Sequence, residues 1–251
     1  MYNSSPSFSI IVTCHNEQNY LINSLASVRN NIDFHLASFS DVNYEILLIL
    51  DSPDVLTKSI AENWVKENEF GRIVLTNNRD IGMSRNLGIK NAQFDLIFLL
   101  DGDDCWGLSW LKKSITHFIN NPTIAILHPE LVLYKSLSID AVRRHIATSD
   151  PDFDPWILSF ENLWTSSIAC PRSGFDLVNF PNGSTHPSNL FAYEDWSFFR
   201  ESCEIGIPHF VIPRTVHLVN NRTNSNTTIS YASKQYPWPS RLFYNLLKSV
   251  K

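Results

Sequence analysis

Short apolar runs alternate with amphipathic segments through the first half of the chain, and this alternation restricts the fold more than any other feature. The apolar runs occupy residues 8–13, 44–50, 72–76 and 96–100. They are apolar almost throughout rather than at every second residue, which is typical of parallel strands covered on both faces. The intervening segments have helical spacing, as in Leu21, Leu25 and Val28. The pattern predicts an α/β fold in which helices flank a Rossmann-like, mostly parallel central sheet.

The second half of the chain is less regular. Its apolar patterns predict strands at residues 131–134, 210–212 and 215–219, helices at 156–164 and 192–203, and a polar loop at 220–230. No internal repeat or long linker separates this half from the first. We therefore interpret the 251 residues as one domain.

Composition excludes several classes of protein. The chain has 20 Lys and Arg against 25 Asp and Glu, a net charge of −5, which argues against a broad basic surface for nucleic acid. No apolar run approaches the roughly 20 residues that span a bilayer, and the N-terminus lacks the basic start and apolar core of a secretion signal. Four widely separated cysteines indicate free thiols rather than a zinc site. We expect a cytoplasmic protein.

Polar residues follow three of the predicted strands, at residues 13–17, 51–54 and 101–104. In open α/β sheets ligands bind beyond the carboxyl ends of the strands, so these residues predict one crevice. Asp101, Asp103 and Asp104 repel one another unless a cation or hydrogen-bond donors compensate. Oxygen ligands of this kind suit Mg²⁺ or Mn²⁺. An acidic turn that caps the next helix explains the same residues, but Asp51 at the second strand end favours a site.

Five segments in this order resemble a family-2 glycosyltransferase of the GT-A fold. They are FSIIVTCHNEQNYL, YEILLILDSPD, NRDIGMSRNLGIKNA, LIFLLDGDD and YEDWSFF, and the resemblance extends from residue 8 to about residue 225. It implies an inverting, metal-dependent transfer from a nucleotide diphosphate sugar, with UDP as the nucleotide, to a hydroxyl of a glycan or lipid-linked glycan. It also implies a nucleotide-sugar half (about 1–127), a smaller acceptor half (about 128–230) and a helical tail (231–251).

The resemblance assigns donor-side roles to residues at the strand ends. It implies that the first strand end binds the nucleotide, that the second binds the uracil imide, that Asp101 contacts the ribose and that Arg85 lies near the nucleotide. The residues implied are Thr13, His15, Glu17, Asp51, Asp54, Arg85 and Asp101. Three positions depart from the family pattern. His15 replaces the usual Tyr, and in Leu50-Asp51-Ser52-Pro53 both Leu50 and Pro53 depart from the common Asp-Asp-Gly-Ser.

The metal and acceptor sides are assigned in the same way. The resemblance implies Mn²⁺ or Mg²⁺ on Asp103, with Asp101 nearby and a further ligand from a segment in which His217 and Asn224 are both candidates. That segment, which also contains Arg222 and Ser225, is expected to close over the diphosphate.

Glu194 and Asp195 resemble the family's catalytic Glu-Asp pair, with Asp195 as general base. Taken alone, the pair is better explained as acidic residues that stabilise a helix N-terminus, but the other motifs favour the catalytic role. Trp164 is either a sugar platform or a core residue. Residues 236–251 are amphipathic, and they either pack on the domain or rest on the inner face of a membrane beside a lipid-linked acceptor.

Two other functions compete with this interpretation. A catalytically silent nucleotide-sugar-binding module is favoured by the departures from the family pattern. A phosphatase of the haloacid-dehalogenase type also places Asp-x-Asp after an apolar strand. In that class, however, the nucleophilic Asp lies on the first strand of the core. Here Thr13, Cys14 and His15 end the first strand, and Asp101 ends the fourth.

Overall fold

The computed structural model describes residues 5–39, 42–135, 141–182, 191–220, 230 and 232–238. The strands are β1 (Phe8–Cys14), β2 (Tyr44–Asp51), β3 (Gly71–Thr76), β4 (Leu96–Asp101), β5 (Cys105–Trp106), β6 (Ile126–Lys135), β7 (Ala141–Arg144), β8 (Ala169–Pro171), β9 (Phe191–Ala192), β10 (His209–Asn220) and β11 (Tyr236–Pro237). The helices are α1 (Leu21–Leu36), α2 (Val55–Glu67), α3 (Ile81–Asn91), α4 (Trp110–Asn120), α5 (Arg172–Leu177) and α6 (Glu194–Glu204), with a 3₁₀ helix at Pro155–Ser159.

One mixed sheet forms the centre of the molecule. Its strand order is β3-β2-β1-β4-β8-β6-β10-β5, and β7 pairs with β6. The first four strands are mutually parallel, whereas β8 lies antiparallel between β4 and β6. Strand β10 continues parallel to β6. The parallel half therefore carries the three predicted strand ends, and β10 brings the second half of the chain to the same edge.

Both faces of the sheet are covered at β1, β2 and β4, as the unbroken apolar runs predict. The prediction is wrong for β3, which is an edge strand and only partly buried, with Leu75 58% exposed. Every residue of β1 and β2 is buried. Phe8, Ile10 and Val12 pack in one core cluster with α1 and α4, whereas Ile11 packs in a second cluster that includes residues of α3, α5 and α6. Adjacent strand residues point to opposite faces. The predicted α/β class is thus confirmed.

The second half contains two differences from the sequence prediction. The helix predicted at 156–164 is wrong beyond Ser159: only the 3₁₀ turn forms, and the chain then turns so that the Trp164 indole donates to the Ile146 carbonyl, 2.8 Å away. Within the predicted helical tail, residues 236–237 form β11, which pairs with β9. Residues 221–229 and 239–251 lie outside the described residues. Within the described ranges no helix has the length and apolarity needed to cross a bilayer.

Candidate active site

Three strand ends meet at one edge of the sheet. Thr13 of β1 pairs with Asp101 of β4, and Cys14 pairs with Leu50, the residue before Asp51. The predicted crevice therefore has a structural basis, because parallel pairing places the ends of β1, β2 and β4 side by side.

The carboxylate of Asp101 is the centre of the hydrogen-bond network at this edge. Arg85 donates to both of its oxygens from Nη2 at 2.9 Å. Thr13 Oγ1 donates at 2.9 Å and Ser166 Oγ at 2.7 Å. Burial would raise the pKa of Asp101, but the Arg85 charge and the hydrogen bonds outweigh it and hold the pKa below its usual value. Asp101 is therefore an ionised group whose oxygens are already engaged by protein donors.

Arg85 connects Asp101 to the second half of the chain. Its side chain is buried, and Nη1 donates to Glu194 Oε1 at 2.6 Å. The guanidinium also lies 5.3 Å from the centroid of the Phe180 ring. Burial opposes the charge of Arg85, yet the neighbouring carboxylates raise its pKa above the usual value. One buried cation thus joins the end of β4 to the first turn of α6.

Asp195 lies beside this ion pair at the start of α6, and its side chain is partly exposed. Asn162 Nδ2 donates to its Oδ2 at 3.1 Å, and the Trp196 backbone N–H donates to its Oδ1 at 2.7 Å. Desolvation and the Glu194 carboxylate raise the pKa of Asp195 to about 7, against an opposing effect of Arg85. Such a carboxyl exchanges a proton near neutral pH, which suits a general base.

The residue before this pair has an unusual backbone. Tyr193 has φ = 62°, in the left-handed region that a bulky residue rarely occupies. Residues in such conformations are often found at functional sites. Here the conformation directs the chain from β9 into α6 so that Glu194 and Asp195 form its first turn.

The predicted nucleotide contacts at the second strand end have roles inside the protein. Asp51 is buried, and its carboxylate accepts hydrogen bonds from the backbone N–H of Arg79 (2.9 Å) and Asp80 (3.0 Å) and from Ser84 Oγ (2.9 Å). Asp54 is the N-cap of α2 and accepts from the Thr57 N–H at 2.7 Å. Both carboxylates therefore hold loops that border the crevice, and their contact with a nucleotide stays a prediction.

The first strand end is organised by Glu17. Its carboxylate is buried and accepts a hydrogen bond from the backbone N–H of His15. The His15 side chain remains exposed, with Nδ1 2.5 Å from the Asp51 carbonyl oxygen. The geometry leaves the imidazole accessible at the crevice and uses Glu17 to shape the turn.

The Asp-Gly-Asp-Asp turn packs tightly against β1. Gly102 N–H donates to the Thr13 carbonyl at 2.8 Å, and a Cβ at Gly102 would lie 2.9 Å from Cys14 Sγ. The glycine is therefore required for packing of this turn against β1. Asp103 is partly exposed, and its backbone carbonyl accepts from Asn220 Nδ2 at 2.6 Å.

The predicted metal ligands do not converge on one point. Asp101 is engaged by Arg85, Thr13 and Ser166, as described above. His217 Nε2 lies 3.0 Å from Asp104 Oδ2, and its Nδ1 lies 2.9 Å from Thr165 Oγ1, so it faces Asp104 rather than Asp103. Among the described residues no three acidic, imidazole or thiol side chains are arranged to hold a metal ion. This arrangement does not fit the expected set, and Arg222, Asn224 and Ser225 lie outside the described residues.

Several important residues are absent from the sequence prediction. Asn162, Thr165 and Ser166 are not singled out by the sequence, yet each contacts a predicted site residue. All three lie in the polar stretch around Trp164, which is the signal that would find them. Trp164 itself is 1% exposed and stacks on His128 and His209 with ring centroids 4.9 and 4.2 Å apart. It is a core residue, and the sugar-platform alternative is wrong.

Sequence comparison identifies relatives with a common description. The model of the family described as "Glycosyl transferase family 2" matches residues 9–167. A Haemophilus influenzae protein described as an uncharacterized glycosyltransferase is 24% identical over 196 residues, which cover 77% of this chain and 70% of the relative. The putative glycosyltransferase EpsH of Bacillus subtilis is 28% identical over 100 residues, covering 40% of this chain and 27% of EpsH.

Structure comparison gives a similar fold. The chain resembles crystal structures of S. aureus TarS 1-349. For the complex with UDP-GlcNAc, the TM-score is 0.66 at 18% identity, covering 95% of this chain and 64% of that one. For the complex with UDP, the TM-score is 0.64, covering 86% of this chain and 61% of that one. The chain therefore spans less than two thirds of the TarS fragment.

Proposed function

The chain belongs to glycosyl transferase family 2 and is thus a glycosyltransferase, and we propose that it is an inverting one with Asp195 as general base. The donor in this proposal is a nucleotide diphosphate sugar bound in the crevice at the ends of β1, β2 and β4. The acceptor is a hydroxyl group of a glycan or a lipid-linked glycan. Cation dependence on Mn²⁺ or Mg²⁺ stays a prediction.

One observation carries the proposal. Arg85 forms ion pairs with Asp101 at the strand-end crevice and with Glu194 next to Asp195. A donor in the crevice and an acceptor at Asp195 would therefore meet at one charge network. A binding module has no need of a carboxyl with a pKa near 7 at that position.

The proposed step is a single displacement. The acceptor oxygen forms a bond to the anomeric carbon of the donor sugar while the bond from that carbon to the diphosphate oxygen breaks. The bonding electron pair leaves with the nucleoside diphosphate, and the acceptor proton passes to Asp195. Because the acceptor attacks from the face opposite the leaving group, the configuration at the anomeric carbon is inverted.

UDP is the proposed nucleotide. The supporting observations are the fold shared with TarS, whose crystal structures contain UDP-GlcNAc and UDP, and the position of Thr13, His15 and Asp51 at the crevice. Thr13 and His15 are offered as donor-side contacts. Asp51 acts in this proposal through the loop that it holds, since its oxygens are engaged by Arg79, Asp80 and Ser84.

The test compares Asp195→Asn with the wild-type chain. We expect release of UDP from the preferred UDP-sugar, in the presence of a mixed glycan acceptor panel and Mn²⁺, to fall by roughly 10²- to 10⁴-fold. Calorimetric binding of UDP should be unchanged. Asp33→Asn is the control, since Asp33 is exposed on α1 and pairs only with Arg29 among the ion pairs described. Undiminished transfer by Asp195→Asn would remove this residue as base. UDP binding by the wild-type chain without any turnover would favour the silent module.

A further inference from the structure

Three large apolar side chains project from the surface between β7 and β8. Trp156 and Ile157 are each 39% exposed and Phe160 is 77% exposed. The first two lie on the 3₁₀ helix Pro155–Ser159, and Phe160 follows it directly. We call these three residues the aromatic ledge. Exposed apolar clusters of this kind mark binding surfaces more often than single exposed residues do.

The ledge is attached to the start of α6, where Asp195 lies. Leu158, in the middle of the 3₁₀ helix, is fully buried, and its carbonyl accepts a hydrogen bond from Trp196 Nε1 at 2.8 Å. Asn162, two residues after Phe160, donates to Asp195 Oδ2. The same short segment therefore presents the ledge and holds the carboxylate that the proposed function uses as base.

The ledge is also held in place before any ligand binds. Asp154 caps the 3₁₀ helix by accepting from the Trp156 N–H at 2.9 Å. On the other side, Arg143 donates to the Asn162 carbonyl and lies 3.3 Å from Glu161 Oε1. A rigid aromatic surface loses little conformational entropy on binding, which favours affinity.

The charged residues around the ledge favour neutral ligands over anionic ones. Asp150, Asp152 and Asp154 precede it and are exposed, and Glu161 follows it. Two arginines of β7 also lie in this region, and each is paired with a carboxylate: Arg143 with Glu161 and Arg144 with Glu130. An acidic border disfavours anionic lipid headgroups and polyphosphate chains by like-charge repulsion. It tolerates a neutral ligand that offers apolar C–H groups to the rings and hydroxyl groups to the carboxylates.

We propose that the aromatic ledge binds sugar residues of a neutral glycan acceptor and orients its reacting hydroxyl towards Asp195. Pyranose rings have one face rich in C–H groups, which stacks on aromatic side chains, and hydroxyl groups at the rim that hydrogen-bond to carboxylates. This inference rests on the proposed function for the identity of the acceptor site. It moves the sugar platform from Trp164, which is buried, to Trp156 and Phe160.

The experiment measures binding to an array of neutral hexose and N-acetylhexosamine oligosaccharides. The variant Trp156→Ala/Phe160→Ala is compared with the wild-type chain and with Trp156→Phe/Phe160→Tyr, which retains an aromatic ring at each position. The matched control is Phe70→Ala/Ile205→Ala; these side chains are 46% and 50% exposed and lie before β3 and after α6, away from Asp195. We expect the alanine variant to lose at least tenfold in affinity while the other two variants bind as the wild-type chain does.

Three results would overturn the proposal: retained glycan binding by the alanine variant, no binding of the wild-type chain to any neutral glycan, or ledge-dependent binding to phosphatidylcholine vesicles instead. UDP titration of the same proteins distinguishes this failure from failure of the proposed function. If UDP binds normally and glycans do not, the ledge assignment is wrong. If glycan binding depends on the ledge but no UDP binds, the donor assignment is wrong.

Discussion

At the scale of single residues, the ionisation of Asp195 should set the lower pH limit of transfer. Its pKa is raised to about 7 by desolvation and by Glu194. A protonated carboxyl cannot take the proton from the acceptor hydroxyl. We therefore expect kcat/KM to fall about tenfold per pH unit below about pH 7. Initial rates at saturating donor, measured from about pH 5.5 to about pH 8.5, follow this decline, which is the acid limb of the pH profile. A flat profile through this range would contradict the assignment of Asp195.

Asn162 should influence that limb as a positioning residue. Its Nδ2–H donates to the Asp195 carboxylate, and a donor to the charged form lowers a carboxyl pKa. We therefore expect Asn162→Ala to move the acid limb to higher pH and to reduce the rate at neutral pH more than at high pH. Asn91→Ala is the control, because Asn91 makes a similar side-chain hydrogen bond to the Leu87 carbonyl on α3. An equal loss at all pH values would indicate a structural role only.

Arg85 should contribute strongly to stability. Its guanidinium is 3% exposed and pairs with Asp101 and Glu194. Removing one partner of a buried ion pair leaves charges uncompensated, which costs about 3–5 kcal/mol. We expect Arg85→Leu to lower the free energy of unfolding in urea by about this amount. For comparison, Arg29→Leu breaks an exposed pair with Asp33 and should cost at most about 1 kcal/mol. Similar small losses in both variants would show that the Arg85 network contributes little.

At the scale of elements, α3 packs on the sheet through Gly88. A Cβ at this position would lie 2.5 Å from Ile11 Cγ2 and 3.2 Å from Ile49 Cγ1. Alanine has the higher helix propensity, but the clash should outweigh it, because overpacking a core costs about 1–3 kcal/mol. We expect Gly88→Ala to be destabilised in urea unfolding, whereas Lys90→Ala on the exposed side of α3 should change little. Stabilisation of Gly88→Ala would show that α3 moves away from the sheet at no cost.

The elements also show what the sequence can predict. Apart from the two-residue β5, which the sequence does not predict, the strands and helices up to residue 120 match the predicted ones closely, because each predicted strand is one apolar run bounded by polar residues. The segment at 156–164 has a similar apolar content, yet Trp164 leaves the helix to stack on His128 and His209. Its partners lie far away in the sequence, so local spacing cannot reveal them.

The same distinction applies to the site. Parallel strand ends place Thr13, Asp51 and Asp101 at one edge, which the sequence predicts. The occupation of the Asp51 oxygens by Arg79 and Asp80 depends on the path of a loop. The ion pair of Arg85 with Glu194 depends on how two halves of the chain meet. Residue types therefore predict where chemistry is located, and tertiary contacts decide which carboxylates remain accessible.

At the scale of the whole molecule, three of the buried histidines, His128, His145 and His209, lie in the core of the second half of the chain. His128 Nε2 lies 2.8 Å from His209 Nδ1, and His209 Nε2 lies 2.9 Å from Ser202 Oγ. His145 Nδ1 lies 2.8 Å from the Pro129 carbonyl. Burial lowers the pKa of His145 and of His209 to about 3, and the pKa of His128 lies well below its usual value. These imidazoles are neutral in the folded chain at physiological pH.

The buried histidines should make the protein labile to acid. Below about pH 6.5 they take up protons in the unfolded chain but not in the folded one, so stability falls as pH falls, by about 1.4 kcal/mol per pH unit for each net proton. Asp195 has the opposite effect on stability. Its pKa of about 7 in the folded chain lies above the value in the unfolded chain, so the folded chain takes up one proton first as the pH falls. The free energy of unfolding in urea, measured from about pH 7.5 to about pH 4.5, should therefore decline as the pH falls. We expect a shallower decline for His145→Gln and a steeper one for Asp195→Asn. Constant stability over this range would mean that the histidines are solvated or already charged in the folded state.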